Sequence, residues 1–408
     1  MPIIDLIAFL LLLFVASLVM PTIASWLRLP TSSLLVLAGF VISELHISQG
    51  GDTGVRAMHF QPLIFYVFLP VLIFDAAYHI HASQFLKNLP AILWLAIGGM
   101  VLSALLTAIG IYYGINHTTG FPWTTALVCG ALLAATDPVA VVTQIQSSGA
   151  PQRLGLLLEG ESLLNDATAV VLFSLFISLA SSQSGEISIP DALLEFARLF
   201  GGGIAIGVTC GFAARLLQRC LVDGFSTPIL TLLTAYGSFY IGEQWLHVSG
   251  IMSVLCAGLV LGSEHQRRHT EEQRRSLKRL WGLLGQLGTD LVFLLMGVTI
   301  SIAMFQERWL AMLIAIGAVI AARFVSTWLS LLAANFTPGS EPVPKAYTPV
   351  IIWGGLRGVV AIALALSLPT HIEGWWTVQC IAYGVVAFSL FIQAPTNPLI
   401  LRSLVKQK

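Results

Sequence analysis

From Ala91 to Gly114 the chain runs through twenty-four residues without a single charge. A stretch of about 20 apolar residues is what one helix needs to cross the hydrocarbon core of a bilayer. Similar runs recur from one end of the sequence to the other. They are continuously apolar rather than alternating, which excludes barrel strands. Composition supports the same reading. Charged residues are 10% of the 408, with 20 Lys+Arg against 20 Asp+Glu, and the mean hydropathy is +0.86. A soluble domain carries roughly 25% charged residues, because its surface must face water. The chain is therefore expected to be an all-α polytopic membrane protein surrounded by membrane lipid. An ordinary cytoplasmic enzyme, a disordered chain and a basic nucleic-acid binder are excluded.

Proline, glycine and polar clusters divide the sequence into thirteen expected helices. Their extents are 3–25, 32–45, 61–79, 90–114, 122–146, 156–181, 190–217, 227–246, 248–263, 282–304, 309–334, 346–368 and 374–401. The first is too long for a signal peptide and ends in Trp26-Leu27-Arg28 without a small-residue cleavage site. The chain stops about seven residues after the last run, so no soluble regulatory domain is expected. Cys129, Cys210, Cys220, Cys256 and Cys380 lie scattered in apolar sequence and read as small buried hydrophobes. No phosphate-binding G-x-x-x-x-G-K-[ST] loop occurs, so neither a nucleotide motor nor a cofactor is expected.

Basic residues set the orientation. The richest stretch, Arg267, Arg268, Arg274, Arg275, Lys278 and Arg279, separates the ninth and tenth runs and belongs in the cytoplasm. Alternation then places Arg28, Lys87, Arg153, Arg215, Arg219, Lys345, Arg402, Lys406 and Lys408 inside as well. Only Arg56 and Arg308 fall outside. The partition predicts an odd number of crossings, with the N-terminus outside and the C-terminus cytoplasmic, in the cell (inner) membrane.

An ionisable side chain at the bilayer centre costs about 2.5–3.5 kcal/mol on insertion scales, so each one needs a reason. Asp290 stands one to two turns into the tenth run and reads as snorkelling or capping. Arg198 and Arg323 show no local partner and read as packing or interfacial residues. The others stand in more informative contexts. Ala135-Thr136-Asp137-Pro138 falls in the middle of the fifth run, where proline should break the helix beside an acid. Such a break exposes unpaired backbone groups, tolerated only where they line a cavity or bind an ion. A plain proline kink is the bland alternative, and the adjacent acid argues against it.

The sixth run contains Gly160-Glu161-Ser162-Leu163-Leu164-Asn165-Asp166. On a helix Ser162 and Asp166 lie one turn apart, as do Glu161 and Asn165 on the neighbouring face. Oxygen donors grouped in this way suit a hard cation. Helix capping would be the simpler reading, but Asp166 lies two to three turns past the expected helix start, too deep to cap it. In the twelfth run Trp353-Gly354-Gly355-Leu356-Arg357-Gly358 should interrupt a second helix. One interrupted helix in each half is the pattern of an inverted-repeat transporter with its site near the midplane. Arg357 needs a counter-ion there, and Glu161 is the expected partner in a buried ion pair.

These segments, together with Phe68-Leu69-Pro70-Val71-Leu72-Ile73-Phe74-Asp75-Ala76, resemble the monovalent cation/proton antiporters of the NhaP and NHE type (Na+/H+ exchangers). The four motifs occur in the family's order and span essentially the whole chain. The resemblance implies a single exchanger domain over 1–408 that forms a homodimer. Residues 1–89 and 190–304 would be scaffold and dimerisation helices. Residues 90–181 and 309–401 would be the transport core, with two discontinuous crossing helices. It also implies roles. Asp166 is the cation- and proton-binding carboxylate, with Ser162 and the Thr136 carbonyl as further ligands of Na+ (or K+ or Li+). Asp75 reaches the site directly or through water, Asn165 orients the crossing, and Asp137 balances helix-dipole charge. Glu161 and Arg357 match the family's buried ion pair. The Asn165-Asp166 order resembles the electroneutral branch.

The expected mechanism is antiport by alternating access. Burial disfavours a bare carboxylate, and a proton or a cation can each neutralise it, so the two exclude one another at Asp166. Three rivals differ in kind. A cation channel usually takes ligands from several subunits, a membrane sensor normally carries a soluble output domain, and an organic-solute carrier has no evident recognition group here.

Overall fold

The structure is a computed structural model that describes residues 3–27, 30–48, 64–115, 121–181, 189–220, 226–268 and 271–405. Arg28, Arg56, Lys406, Lys408 and the side chains of Arg267, Arg268 and Arg274, used above for orientation, lie outside the described residues.

Each expected apolar run falls largely on helix, but the fifth and twelfth are interrupted, the tenth (282–304) crosses a helix end at Thr299, and residues 61–63 of the third lie outside the described residues. The elements are α1 (Ile3–Leu27), α2 (Thr31–Ser48), α3 (Ile64–His79), α4 (Leu89–Gly114), α5a (Trp123–Ala134), α5b (Val139–Ser148), α6 (Gln152–Ser181) and α7 (Ile189–Gln218). Then follow α8 (Ser226–Tyr240), α9 (Gly250–Arg268), α10 (Glu271–Thr299), α11 (Ile302–Phe336), α12a (Thr348–Trp353), α12b (Val359–Leu366) and α13 (Trp375–Arg402). A short helix, Ala82–Lys87, joins α3 to α4. Among the described residues, seven helices are by themselves long and apolar enough to cross a membrane. α11 is longer than a bilayer requires; it bends at Arg308, where the backbone leaves helical geometry, so the part after the bend matches the expected 309–334 run.

Helices in lipid gain little from hydrophobic burial against one another, so close packing depends on small residues. Gly203, Gly207 and Gly211 form an i, i+4 stripe on α7, and a side chain on any of them would collide with α9 at Met252, Ser253 or Val260. Gly39 of α2 and Gly297 of α10 meet backbone to backbone in the same way. Two sets of packed helices result. α9 packs on α7 and α3, and α10 packs on α2 and α3. In the other set α4 packs on α5a and α11, α6 packs on α5a, and α11 packs on α13.

The expected cysteine burial holds in part. Cys129 and Cys380 are buried and Cys220 is exposed; all five are free thiols. On the face carrying the inter-helix basic residues, Arg153 binds the Asn88 side chain at 2.9 Å and the Pro342 and Glu341 carbonyls at 2.9 and 2.8 Å. Lys87 meets the Glu341 carboxylate at 2.7 Å and holds it below the usual carboxylate range. The segment between α11 and α12a is thereby tied to the start of α6.

Candidate ion-binding site

Both expected interruptions are present. α5a stops at Ala134 and α5b starts at Val139; α12a stops at Trp353 and α12b starts at Val359. Pro138 cannot donate a backbone hydrogen bond and crowds the preceding turn, so the chain leaves the helix before it. Gly354, Gly355 and Gly358 weaken the second helix. The two breaks touch through their backbones, with the Asp137 N–H donating to the Leu356 carbonyl at 2.7 Å.

A helix end leaves unpaired donors or acceptors that must find partners in a membrane. At the C-terminal end of α5a, Arg357 Nη1 donates to the carbonyls of Ala134 and Ala135 at 3.1 and 3.2 Å. At the C-terminal end of α12a, Arg323 Nη2 donates to the Ile351 carbonyl at 2.9 Å. The opposite sign serves the two N-terminal ends. Asp137 Oδ1 accepts the Val139 N–H at 3.1 Å, and the same carboxylate accepts the Val359 N–H. One acid thus caps α5b and α12b together, in the polarity that helix dipoles favour. Gly358 makes this geometry available, because a Cβ there would overlap the Asp137 carboxylate.

α6 packs against the crossing. Ser162 Oγ donates to the Thr136 carbonyl at 2.6 Å. Asn165 Nδ2 donates to the Ala134 carbonyl and to Thr136 Oγ1, each at 3.2 Å. Asp166 follows directly, is partly accessible, and feels the charge of Asp137. The structure therefore gathers Thr136, Asp137, Ser162, Asn165 and Asp166 around one interruption. Asp75 makes its contacts on other elements. Its carboxylate meets His79 Nδ1 at 2.8 Å and lies across from Gly285 of α10.

The expected pairing of Glu161 with Arg357 needs correction. Glu161 forms its ion pair with Arg323 of α11, and both side chains are buried. Arg357 is turned onto the α5a carbonyls, although the charges of Glu161 and Arg323 both reach it. The reason lies in Gly355: a Cβ there would come within 2.6 Å of Arg323 Nε, so glycine alone admits the guanidinium between α6 and α12a. Arg323, expected to be a packing residue, is therefore part of the site. Two lesser expectations also change. Arg198 has a partner, Glu195, at 3.4 Å on the exposed side of α7. Asp290 neither snorkels nor caps; it is 1% exposed, and Gln286 donates to it at 2.8 Å. The second interruption also uses α13, whose Ser389 Oγ accepts the Arg357 N–H at 3.2 Å and donates to Gln393 Oε1 at 2.6 Å. Nothing in the sequence around Ser389 signals that role.

Residues 11–403 match the transmembrane family of sodium/hydrogen exchangers. The chain belongs to this family. Among its relatives is the Na(+)/H(+) antiporter ApNhaP of Aphanothece halophytica, 35% identical over 94% of this chain and 71% of that protein. The low-affinity Na(+)/H(+) antiporter NhaS1 of Synechocystis is 32% identical over 92% of this chain and 70% of that protein. The fold is similar to that of the sodium proton antiporter MjNhaP1 from Methanocaldococcus jannaschii, with a TM-score of 0.83 at 20% identity over 99% of this exchanger and 100% of that chain.

Proposed function

We propose that this exchanger is a secondary antiporter that swaps a monovalent cation, sodium foremost, for protons, with Asp166 as the shared carrier. The relatives' names give the substrates, Na+ and H+. The observation that carries the assignment to Asp166 is the balance of charge at the crossing. Arg323 and Arg357 are matched by Glu161 and Asp137, each bound to fixed partners. Asp166 is the charge left over. A proton or a monovalent cation brings the cluster to neutrality, and an empty site leaves one negative charge in low dielectric, where it is costly. Only the loaded states cross cheaply, which makes transport an obligatory exchange. Ser162 and the Thr136 carbonyl, already in contact, supply oxygen ligands beside Asp166.

The packing supports a division of labour. α4–α6 and α11–α13 form the moving core around the crossing, and α1–α3 and α7–α10 form a scaffold that also joins two copies in a homodimer. Thirteen crossings place the N-terminus outside and the C-terminus in the cytoplasm of the cell membrane. Asp75, beside His79 on the scaffold helix α3, reaches the site directly or through water.

Reconstitution into liposomes with an internal pH probe tests the assignment. Adding Na+, K+ or Li+ in turn should drive proton movement in the wild type and none in Asp166→Asn. Cation flux without proton counterflow, at rates far above carrier turnover, would instead identify a channel.

A further inference from the structure

A chain of hydrogen bonds runs from α13 to α10. Thr299 Oγ1 lies 2.8 Å from the Leu295 carbonyl and 3.0 Å from that of Met296, so its single proton is committed to its own helix. Tyr383 Oη, at 2.8 Å, must then be the donor to Thr299 Oγ1. Tyr383 in turn accepts from Gln379 Nε2 at 3.2 Å. The chain has one polarity, Gln379 to Tyr383 to Thr299 to Leu295, and no member is left over. Tyr383 is fully buried, and Gln379 is 7% exposed. Thr299 ends α10 at the end opposite Arg275, Lys278 and Arg279. It therefore lies toward the membrane face away from the basic loop.

We propose that Tyr383 and Thr299 form a gate that holds the ion path shut on the face away from the basic loop. The proposal rests on the reading of α10 as scaffold and α13 as core given above. If the core moves against the scaffold, this bond is broken once in every cycle. While the path is sealed, the two hydroxyls have only each other and their own helices as partners. Once that face opens, water can satisfy both. The bond therefore weights the equilibrium toward the sealed conformer without touching the ion. Tyr383 is in this sense a positioning residue, set apart from the ligands.

The test measures sided affinity. Right-side-out vesicles present the outer face, and everted vesicles present the face of the basic loop. Removing one neutral hydrogen bond should shift the conformational equilibrium about two- to tenfold. Tyr383→Phe and Thr299→Val should each lower KM for Na+ on the outer face and raise it on the other by about that factor. The double variant should shift no further than either single one, and Thr299→Ser, which keeps the hydroxyl, should behave as wild type. Unchanged KM on both faces in both single variants overturns the gate. A separate control tests the scaffold and core. Ser33 Oγ of α2 lies 3.4 Å from the Leu390 carbonyl of α13. In a background lacking the native cysteines, Ser33→Cys and Leu390→Cys joined by a short reducible cross-linker should stop exchange until the link is cut. Blocked exchange alongside unchanged sidedness removes the gate alone. Full exchange with the link in place removes the moving core, and the gate with it.

Discussion

Glu161 of α6 and Arg323 of α11 form an ion pair at 1% and 8% side-chain exposure, and Arg323 also binds the Ile351 carbonyl at the end of α12a at 2.9 Å. The helix that carries Asp166 is thereby held to the second interrupted helix through one guanidinium. A buried pair of this kind adds little net stability but fixes geometry, and losing one partner leaves the other uncompensated.

Glu161→Leu and Arg323→Met should each lower the stability of the purified protein by about 3–5 kcal/mol. The double variant should lose less than the sum of the two, because neither charge is then left alone. Thermal unfolding in one detergent is the measurement. Simple additivity would show that the residues are not coupled. Glu161→Leu with Arg357→Met should lie closer to additive, since no direct contact joins that pair.

Asp166→Asn should abolish cation-driven proton flux while expression and thermal stability stay near wild type. Asn keeps the shape and one oxygen but removes both the charge and the titratable proton. Losing a charge within the membrane should also ease insertion. Flux at the wild-type rate from a well-expressed variant would place the carrier on another residue.

Gly358→Ala should unfold the crossing. The new methyl group occupies the space of the Asp137 carboxylate, which must give up the Val139 and Val359 amides. Overpacking and lost caps together should cost about 2–4 kcal/mol and most of the activity. Gly237→Ala on α8 is the control, since nothing lies within 4 Å of its added Cβ. There the substitution should be neutral or stabilising by up to about 1 kcal/mol. Equal effects at the two sites would mean that the Gly358 contact is not essential.

Much of this was legible in the sequence for local reasons. The helices follow from uninterrupted apolar runs, and the breaks from Pro138 and from the Gly354, Gly355 and Gly358 cluster. Ser162, Asn165 and Asp166 share a helical neighbourhood by spacing alone. The partner of Glu161 was not legible, because Arg323 lies 162 residues away and Arg357 is an equally plausible cation in sequence. The choice depends on the space left by Gly355, a three-dimensional fact. The burial of Asp290 is hidden in the sequence for a similar reason: depth along a helix does not reveal which face meets a neighbour. The role of Ser389 depends on its position opposite a break thirty-two residues earlier.

The last expectation concerns stoichiometry. Asn165 precedes Asp166 and cannot titrate, and its amide is committed to Ala134 and Thr136. Asp137 is bound to two helix ends, and Glu161 to Arg323. Asp166 is therefore the acid at the crossing free to exchange its partner. One cation then replaces one proton, and no net charge moves. At equilibrium the proton gradient alone should balance the sodium gradient in proteoliposomes, and an imposed potassium-diffusion potential should leave the reversal point in place. A reversal point that moves with the potential would show more than one proton per cation. The second proton would then need a carboxylate outside the fixed pairs. Asp75 meets that requirement, since its contact is with His79 and not with a helix end. Repeating the measurement with Asp75→Asn would decide the point: a return to potential-independent exchange assigns the extra proton to Asp75. No change would mean that Asp137 gives up its helix-end contacts during the cycle and takes the proton after all.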